Sequence, residues 1–266
     1  MSYQQKARSV SYKGLNFLSA AFSFAADQLL PKGEIWIVYS GYNLLIRPRD
    51  HIGTQLYVNG EYEPQISATL SEITPLGGTA VEIGAHIGHH TIQMRRKVGS
   101  GGDIYAVEPH PANADMIRQT ISRNDFENIH CKEIAVSGEK GEIGLTEHKT
   151  QNSGASTIDD VAGHTTHTVE TTTLSSLYSK CGLDHADTIK IDTEGAEYDI
   201  LTNIDDLSDY ADSAVIELHG KDHLTAAKMN ELQSLLDDWG SEFTLYPSEP
   251  TASIDNQSNV TAIWKS

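Results

Sequence analysis

Positive charge is scarce in this chain. Nineteen lysines and arginines face 37 acids, which gives a formal net charge of −18 over 266 residues. The acids are spread throughout rather than gathered in a tail, so the surface repels phosphate and nucleic acid is a poor partner. Such a dense carboxylate coat suits a high-salt cytoplasm, and a halophile-like habitat is expected. Cysteine is almost missing too. Cys131 and Cys181 stand far apart with no C-x-x-C between them, so no disulfide framework is expected and both read as reduced cytoplasmic residues. No apolar run reaches transmembrane length, and no internal repeat occurs. What remains is long enough for one catalytic α/β unit with an extension, divided here at 74/75 into an N-terminal helix–hairpin–cover-helix segment and a main domain.

The first 26 residues break the charge rule. Lys6, Arg8 and Lys13 precede the first acid, Asp27, and residues 15–30 are apolar. A signal peptide is rejected because Ser19, Ser23 and Asp27 interrupt the stretch. A helix covering the sheet or contacting a second copy in a homo-oligomer is preferred. Peripheral contact with the inner face of a membrane is the alternative.

Thr79 to Pro111 holds the densest signal. Val81 and Ile83 read as buried strand positions, Gly84 and Gly88 bracket a turn, and a second strand, Ile104–Val107, ends on Glu108. This is a βαβ unit that brings backbone close to an adenosine-containing ligand, with Glu108 accepting from ribose hydroxyls and Pro109 turning the chain beside it. The turn is Gly84-Ala85-His86-Ile87-Gly88, without the middle glycine that a pyrophosphate wants, and Glu82 precedes it. An acid there favours a cationic ligand such as S-adenosylmethionine over NAD. Alone, such glycines also suit a strand end packed on a helix; Glu108 is what favours the ligand reading.

Downstream, Ile189 and Ile191 form a strand delivering Asp192, Glu194 follows in the turn, and a third strand brings Glu217 and His219 to the same end of the sheet. Ligands of open α/β sheets bind outside those strand ends. Further strands are predicted near 129–135, 242–247 and 260–265, a hairpin over 35–46, a connector and then a helix around 64–73, and helices near 87–97, 111–124, 174–181, 196–203 and 224–239. In the last of these Met229, Leu232, Leu235, Leu236 and Trp239 recur at helical spacing and read as core. The Ser/Thr/Gly/His-rich stretch 147–173 reads as a loop with room for two short strands and as a candidate cover for the site.

Taken together, VEIGAHIGHHT at 81–91, YAVEPHP at 105–111, NSGAST at 152–157, IKIDTEGAEYDIL at 189–201 and VIELHG at 215–220, with GEYE at 60–63 upstream, resemble the FkbM-type S-adenosylmethionine-dependent methyltransferases. Glu82 stands where that family more often has Asp, and His86 where Asn is usual. The resemblance implies a class I methyltransferase (Rossmann-like) α/β fold, a doubly wound seven-stranded sheet with a terminal antiparallel strand. It also implies O-methylation of a sugar, glycan or related metabolite, at a hydroxyl or a uronic-acid carboxyl.

On that basis Glu82, Gly84, Ala85, His86, Gly88, Glu108 and Pro109 are the expected cofactor residues. Asp192 is the preferred catalytic acid, with Glu194 and His219 competing for the base. Glu194 has a plainer reading as a helix-start acid capping backbone amides. No metal is expected. Zinc at His86, His89 and His90 is disfavoured, since those not facing the cofactor read as exposed, and magnesium at Asp192 and Glu217 is a lesser alternative. An NAD-dependent oxidoreductase, a magnesium-dependent catechol-type enzyme and a non-catalytic binding protein are the competing classes.

Overall fold

The computed structural model describes residues 29–147, 156–157, 165–219, 225–239, 242–247 and 259–265. The basic, apolar segment is thus outside the described residues up to position 28. A hairpin comes first, β1 (Ile35–Tyr39) and β2 (Tyr42–Ile46), then helices α1 (His51–Asn59) and α2 (Pro64–Ile73). Next come β3 (Thr79–Ile83), α3 (His89–Val98), β4 (Asp103–Val107), α4 (Pro111–Arg123), β5 (Ile129–Lys132) and β6 (Ala135–Val136). β7 (Gly141–Glu147), β8 (Ser156–Thr157) and β9 (Thr165–Thr172) follow, then α5 (Leu174–Cys181) and β10 (Ala186–Ile191). The chain closes with α6 (Glu197–Leu201), β11 (Ala211–His219), α7 (Ala226–Asp238), β12 (Glu242–Pro247) and β13 (Asn259–Lys265).

Seven of these strands form one sheet in the order β12-β13-β11-β10-β3-β4-β5. Only β13 runs antiparallel to its neighbours; the others pair parallel wherever they touch. From β3 the chain steps outward to β4 and β5, then returns to lay β10 on the other side of β3. The order reverses between those two strands, and a crevice opens beyond their carboxyl ends. This is the doubly wound class I arrangement. The antiparallel strand is last in sequence but second from the edge.

Strand alternation divides the core between the two faces of the sheet. Val81, Ile83, Ile189, Ile191 and Ile216 meet Leu174, Ile200, Leu232 and Trp264 on one face. Ala80 and Val215 share the other with Leu44, Ile46, Leu70, Ile92 and Met116. The hairpin and the helix preceding the sheet therefore belong to the same core as the sheet itself. Each aliphatic side chain buried there contributes roughly 1.5–3 kcal/mol. Two charged residues interrupt the central strands: Glu82 on β3 and Lys190 on β10, which are register partners and almost fully buried.

Two segments differ from the sequence reading. The expected connector after the hairpin is helix α1, capped by the Asp50 carboxylate accepting from Gly53 N–H and closed by Gly60 at φ 76°. It buries only Gly53 and Leu56, so its apolar pattern is faint while its caps are not. Within 147–173, where the sequence leaves room for two short strands, β8 and the eight-residue β9 (Thr165–Thr172) join β6 and β7 in a second sheet ordered β6-β9-β7-β8, which is the part not foreseen. Threonine, counted there as a loop residue, is β-branched and favours strands. Helix α7 buries Met229, Leu232 and Leu236 as expected.

Candidate active site

The crevice at the β3/β10 switch point holds a cavity of about 140 Å³. One wall begins at Gly84, whose φ of 86° lets the chain turn off β3. A Cβ at this position would fall 1.6 Å from the carbonyl oxygen of Asp192, so only glycine lets the ends of β3 and β10 approach this closely. Gly84 and Ala85 both donate their N–H to the carbonyl of Val107, and Asp192 N–H donates to Ile83. His86 adopts φ 51°, a left-handed conformation rare for a residue with a side chain. What holds it is Glu108, whose carboxylate accepts the His86 N–H at 2.8 Å.

Glu108 is buried, not a solvent-facing strand end. Besides His86, it accepts from His110 N–H at 2.9 Å and the Asn113 amide at 3.4 Å. A carboxylate has about four acceptor positions, so one remains. Burial pushes its carboxyl up to about 7 despite those bonds, with the negative field of Asp192 adding to the rise. Glu82 behaves alike: burial raises it to about 7 against the pull of Lys190, and the Thr91 hydroxyl donates to it. His86 lines the crevice, and neither ring nitrogen has a hydrogen-bond partner among the described residues. Burial drives its pKa down to about 4, so the ring is neutral.

The facing wall is built from ions. Lys190, 1% exposed, donates to Asp192 Oδ2 at 2.7 Å and lies 3.8 Å from Glu217. Asp192 and Glu217 were the acids considered for magnesium; the cation between them here is an ammonium group. Burial, then Asp192, raise the Glu217 carboxyl to about 8, although Lys190 opposes this. His219 sits against three carboxylates: Glu197 at 3.2 Å, Glu194 at 3.3 Å and Asp192 at 3.9 Å. Burial alone would lower its pKa, but the bond to Glu197 and the surrounding acids lift it to about 10. The imidazole is therefore positively charged at neutral pH.

Capping of the turn before α6 falls to Glu197 rather than Glu194. Its buried carboxylate accepts from the N–H groups of Thr193 and Gly195 and from the Thr193 hydroxyl. Burial pushes that carboxyl up, yet the bonds from His219, Thr193 and Gly195 outweigh it and leave it lowered. Glu194 is left to reach His219 from the left-handed conformation at φ 56°.

Gly84, His86, Glu108, Pro109, Asp192, Glu194, Glu217 and His219 thus meet in one crevice, whose aliphatic lining comes from Ile134, Val136 and Leu145. Ala85 is buried beneath the turn, and Gly88, at φ 84°, opens helix α3 against Ile117. Sequence reasoning missed Lys190 and Glu197. A lysine between two isoleucines of a central strand, two residues before an acid, was the available signal for the first. It also placed His89 and His90 wrongly among exposed residues; both are buried, because α3 turns its first residues toward Tyr62 and α2.

Comparison with known proteins bears on this geometry. A family model described as the methyltransferase FkbM domain matches residues 82–243, more than half of the chain. Among curated relatives, the protein-L-isoaspartate O-methyltransferase of Methanococcoides burtonii is 30% identical over 97 residues, 36% of this chain and 45% of that protein. The one from Methanocella arvoryzae is 40% identical over 53 residues, 20% and 28%. The chain thus spans less than half the length of either relative. Similar solved structures include Trm5b from Pyrococcus abyssi, 12% identical with a TM-score of 0.49 over 89% of this chain and 56% of that one. Precorrin-6y C5,15-methyltransferase from Geobacter metallireducens is 14% identical, with a TM-score of 0.46 over 77% and 90%. At these scores the fold rests on the strand order described above.

Proposed function

The chain belongs to the FkbM methyltransferase family, and from that premise we propose that it is an S-adenosylmethionine-dependent O-methyltransferase acting on a hydroxyl of a sugar, glycan or related metabolite. The acceptor class is supported by one observation: Asp192 and Glu194 line the crevice, while the Lys190 and His219 cations beside them are already engaged by carboxylates. Carboxylates accept from hydroxyls and repel anions, so a neutral polyol suits this wall better than a uronic-acid or isoaspartyl carboxylate.

The crevice residues fit the cofactor. Glu108 keeps one acceptor position for a ribose hydroxyl, and Ile134, Val136 and Leu145 offer an aliphatic flank for a base. Gly84 and Ala85 would give close backbone approach, Gly88 the start of α3, and His86 two unpartnered ring nitrogens. The carboxylates around them favour a cation. When bound, S-adenosylmethionine supplies a methyl group on a sulfonium, open to in-line displacement by an oxygen. The protein has to align the acceptor and exclude water, which lowers the barrier by several kcal/mol.

Removal of the hydroxyl proton falls to Asp192 in this reading. Lys190 holds Oδ2, which fixes the carboxylate and leaves Oδ1 to accept the proton. His219 already carries its proton, so it serves as a donor or a fixed positive charge beside the acceptor. Binding and transfer test the reading separately. Calorimetry should detect S-adenosylmethionine and not NAD, and labelled methyl groups should pass to neutral glycosides before uronides. Preference for NAD would overturn the cofactor, and transfer to carboxylates alone would overturn the acceptor class.

A further inference from the structure

We propose that Glu63, His89 and His90 form a binding site for one divalent transition metal, zinc foremost, at the margin of the crevice. Each residue offers one ligand atom, and the three atoms lie within 4.8 Å of one another. Zinc held at about 2.0–2.1 Å by nitrogen and oxygen wants its donors roughly 3.3 Å apart. Glu63 Oε2 and His90 Nε2 already meet that at 3.1 Å.

His89 supplies the independent sign of a ligand. Its ring is 4% exposed, and neither nitrogen has a hydrogen-bond partner among the described residues. Buried polar atoms are rarely left so, and an unfilled ion site is one of the few physical reasons. Packing edge-on against Tyr62 at 5.3 Å and tilted on His90 at 3.9 Å keeps the ring beside Glu63. His90 Nδ1 lies 3.4 Å from the Ser67 hydroxyl, the kind of outer partner that orients a ligating imidazole. Burial lowers the pKa of both rings and keeps them neutral; His90 Nε2, which donates to the Glu63 carboxylate, would shift its hydrogen to Nδ1, beside the Ser67 hydroxyl, in order to ligate.

Neighbouring charge permits the ion. Lys190 is the cation whose field reaches both rings, and Asp192 and Glu217 lie against it. The other cluster of this kind, Asp192, Glu194 and His219, is different because all its members are already paired, with one another or with Lys190 and Glu197, whereas here Glu63 and His90 are paired and His89, among the described residues, is not. Three protein ligands leave a zinc ion one open position. Glu63 and His89 both line the crevice, so the site borders the space where an acceptor would sit. A role in orienting acceptor oxygens rests on the methyl-transfer reading; the metal site itself does not.

The test uses the full chain stripped with a chelator, without S-adenosylmethionine. Zinc is titrated by calorimetry and cobalt by visible absorption. Zinc stands above manganese, iron(II) and cobalt(II) in the affinity order of nitrogen and oxygen sites, so it reports the site whichever of these ions fills it. One equivalent should bind, and cobalt should give the d–d bands of a four- or five-coordinate site. His89→Phe and Glu63→Gln should each weaken zinc at least 100-fold with circular dichroism unchanged. Should His89→Phe fail to fold, the partly exposed Glu63 makes E63Q decisive alone. Absence of stoichiometric binding would overturn the site. So would binding that survives both variants and is lost in His219→Ala. A chain that binds zinc but not S-adenosylmethionine would sink the proposed function and leave this site standing.

Discussion

Glu108 at the end of β4 and Asp192 at the end of β10 are acids of one crevice in unlike surroundings. Three uncharged N–H donors hold Glu108, from His86, His110 and Asn113. Asp192 is held by an ammonium group at 2.7 Å inside a network with Glu217 and His219. Dipoles offset only part of the cost of burying a charge, so Glu108 stands near neutrality, ready to gain or lose its proton as a ligand arrives or leaves. A full cation fixes both charge and rotamer. One wall is built to recognise and the other to keep a charge in place, and substitutions should separate the two.

The largest effect is expected at the cation. Lys190→Met removes the only positive group contacting Asp192 Oδ2 among the described residues and leaves Asp192, Glu217 and Glu82 facing one another. Breaking a buried pair from one side typically costs about 3–5 kcal/mol. Denaturant unfolding should register a loss of that size, and adding Glu217→Gln should recover part of it. A variant as stable as the parent would mean that Lys190 does not organise this wall.

Asp192→Asn keeps the shape and removes the proposed proton acceptor. Turnover should fall at least ~100-fold, the scale of general-base catalysis, while S-adenosylmethionine binding stays within a few-fold. Equal loss of binding and turnover would move Asp192 to the cofactor's side of the comparison.

The cofactor wall was the more legible of the two in sequence. A turn between Gly84 and Gly88 and an acid before Pro109 are local patterns, and the strands of the large sheet are apolar runs bounded by turn residues. Asp192, Glu194 and His219 could be brought to the same end because each follows or ends a strand. What could not be read was the side-chain pairing. On a strand buried on both faces, alternation does not say whether Lys190 meets solvent or three acids, and nothing local distinguishes Glu194 as the partner of His219 from Glu197 as the cap. Helix α1 escaped because it buries few side chains, and the pairing of β6 to β9 into a second sheet escaped because two of those strands read only as short pieces of a threonine-rich loop.

Glu108→Gln tests the recognising wall at smaller scale. An amide keeps one oxygen acceptor, but its NH2 faces the N–H groups of His86 or His110. S-adenosylmethionine affinity should weaken at least tenfold, with the far-ultraviolet spectrum unchanged, since a hydrogen bond to a charged group is worth about 1.5–3 kcal/mol. Unchanged affinity in calorimetry would place the ribose elsewhere.

In pH both walls contribute at once, and the signs can be worked out. Glu82 and Glu108, raised from 4.5 to about 7, and Glu217, raised to about 8, bind protons more tightly folded than unfolded. Each loses stability as pH rises from about 4.5 through its folded value. His219, raised from 6.5 to about 10, stabilises fully below 6.5 and ceases to do so as pH passes 10. His86, lowered to about 4, and His89 and His90, lowered too, act oppositely and only on the acid side: their contribution is lost as pH falls below 6.5. Between about 4.5 and 6.5 three acids and three histidines therefore oppose one another and the profile should be nearly level. Above 6.5 the acids and His219 act in one direction, joined from about 9 by the thiols of Cys131 and Cys181, which burial raises, and stability should fall steadily toward pH 10. Urea unfolding at pH 5.5, 6.5, 8 and 9.5 measures this. Glu217→Gln should flatten the stretch up to 8, while His219→Asn should flatten the stretch beyond it. Stability that rises across the alkaline range would show that these carboxyls are ionised without cost, and the contrast between dipole-held and cation-held acids would fail with it.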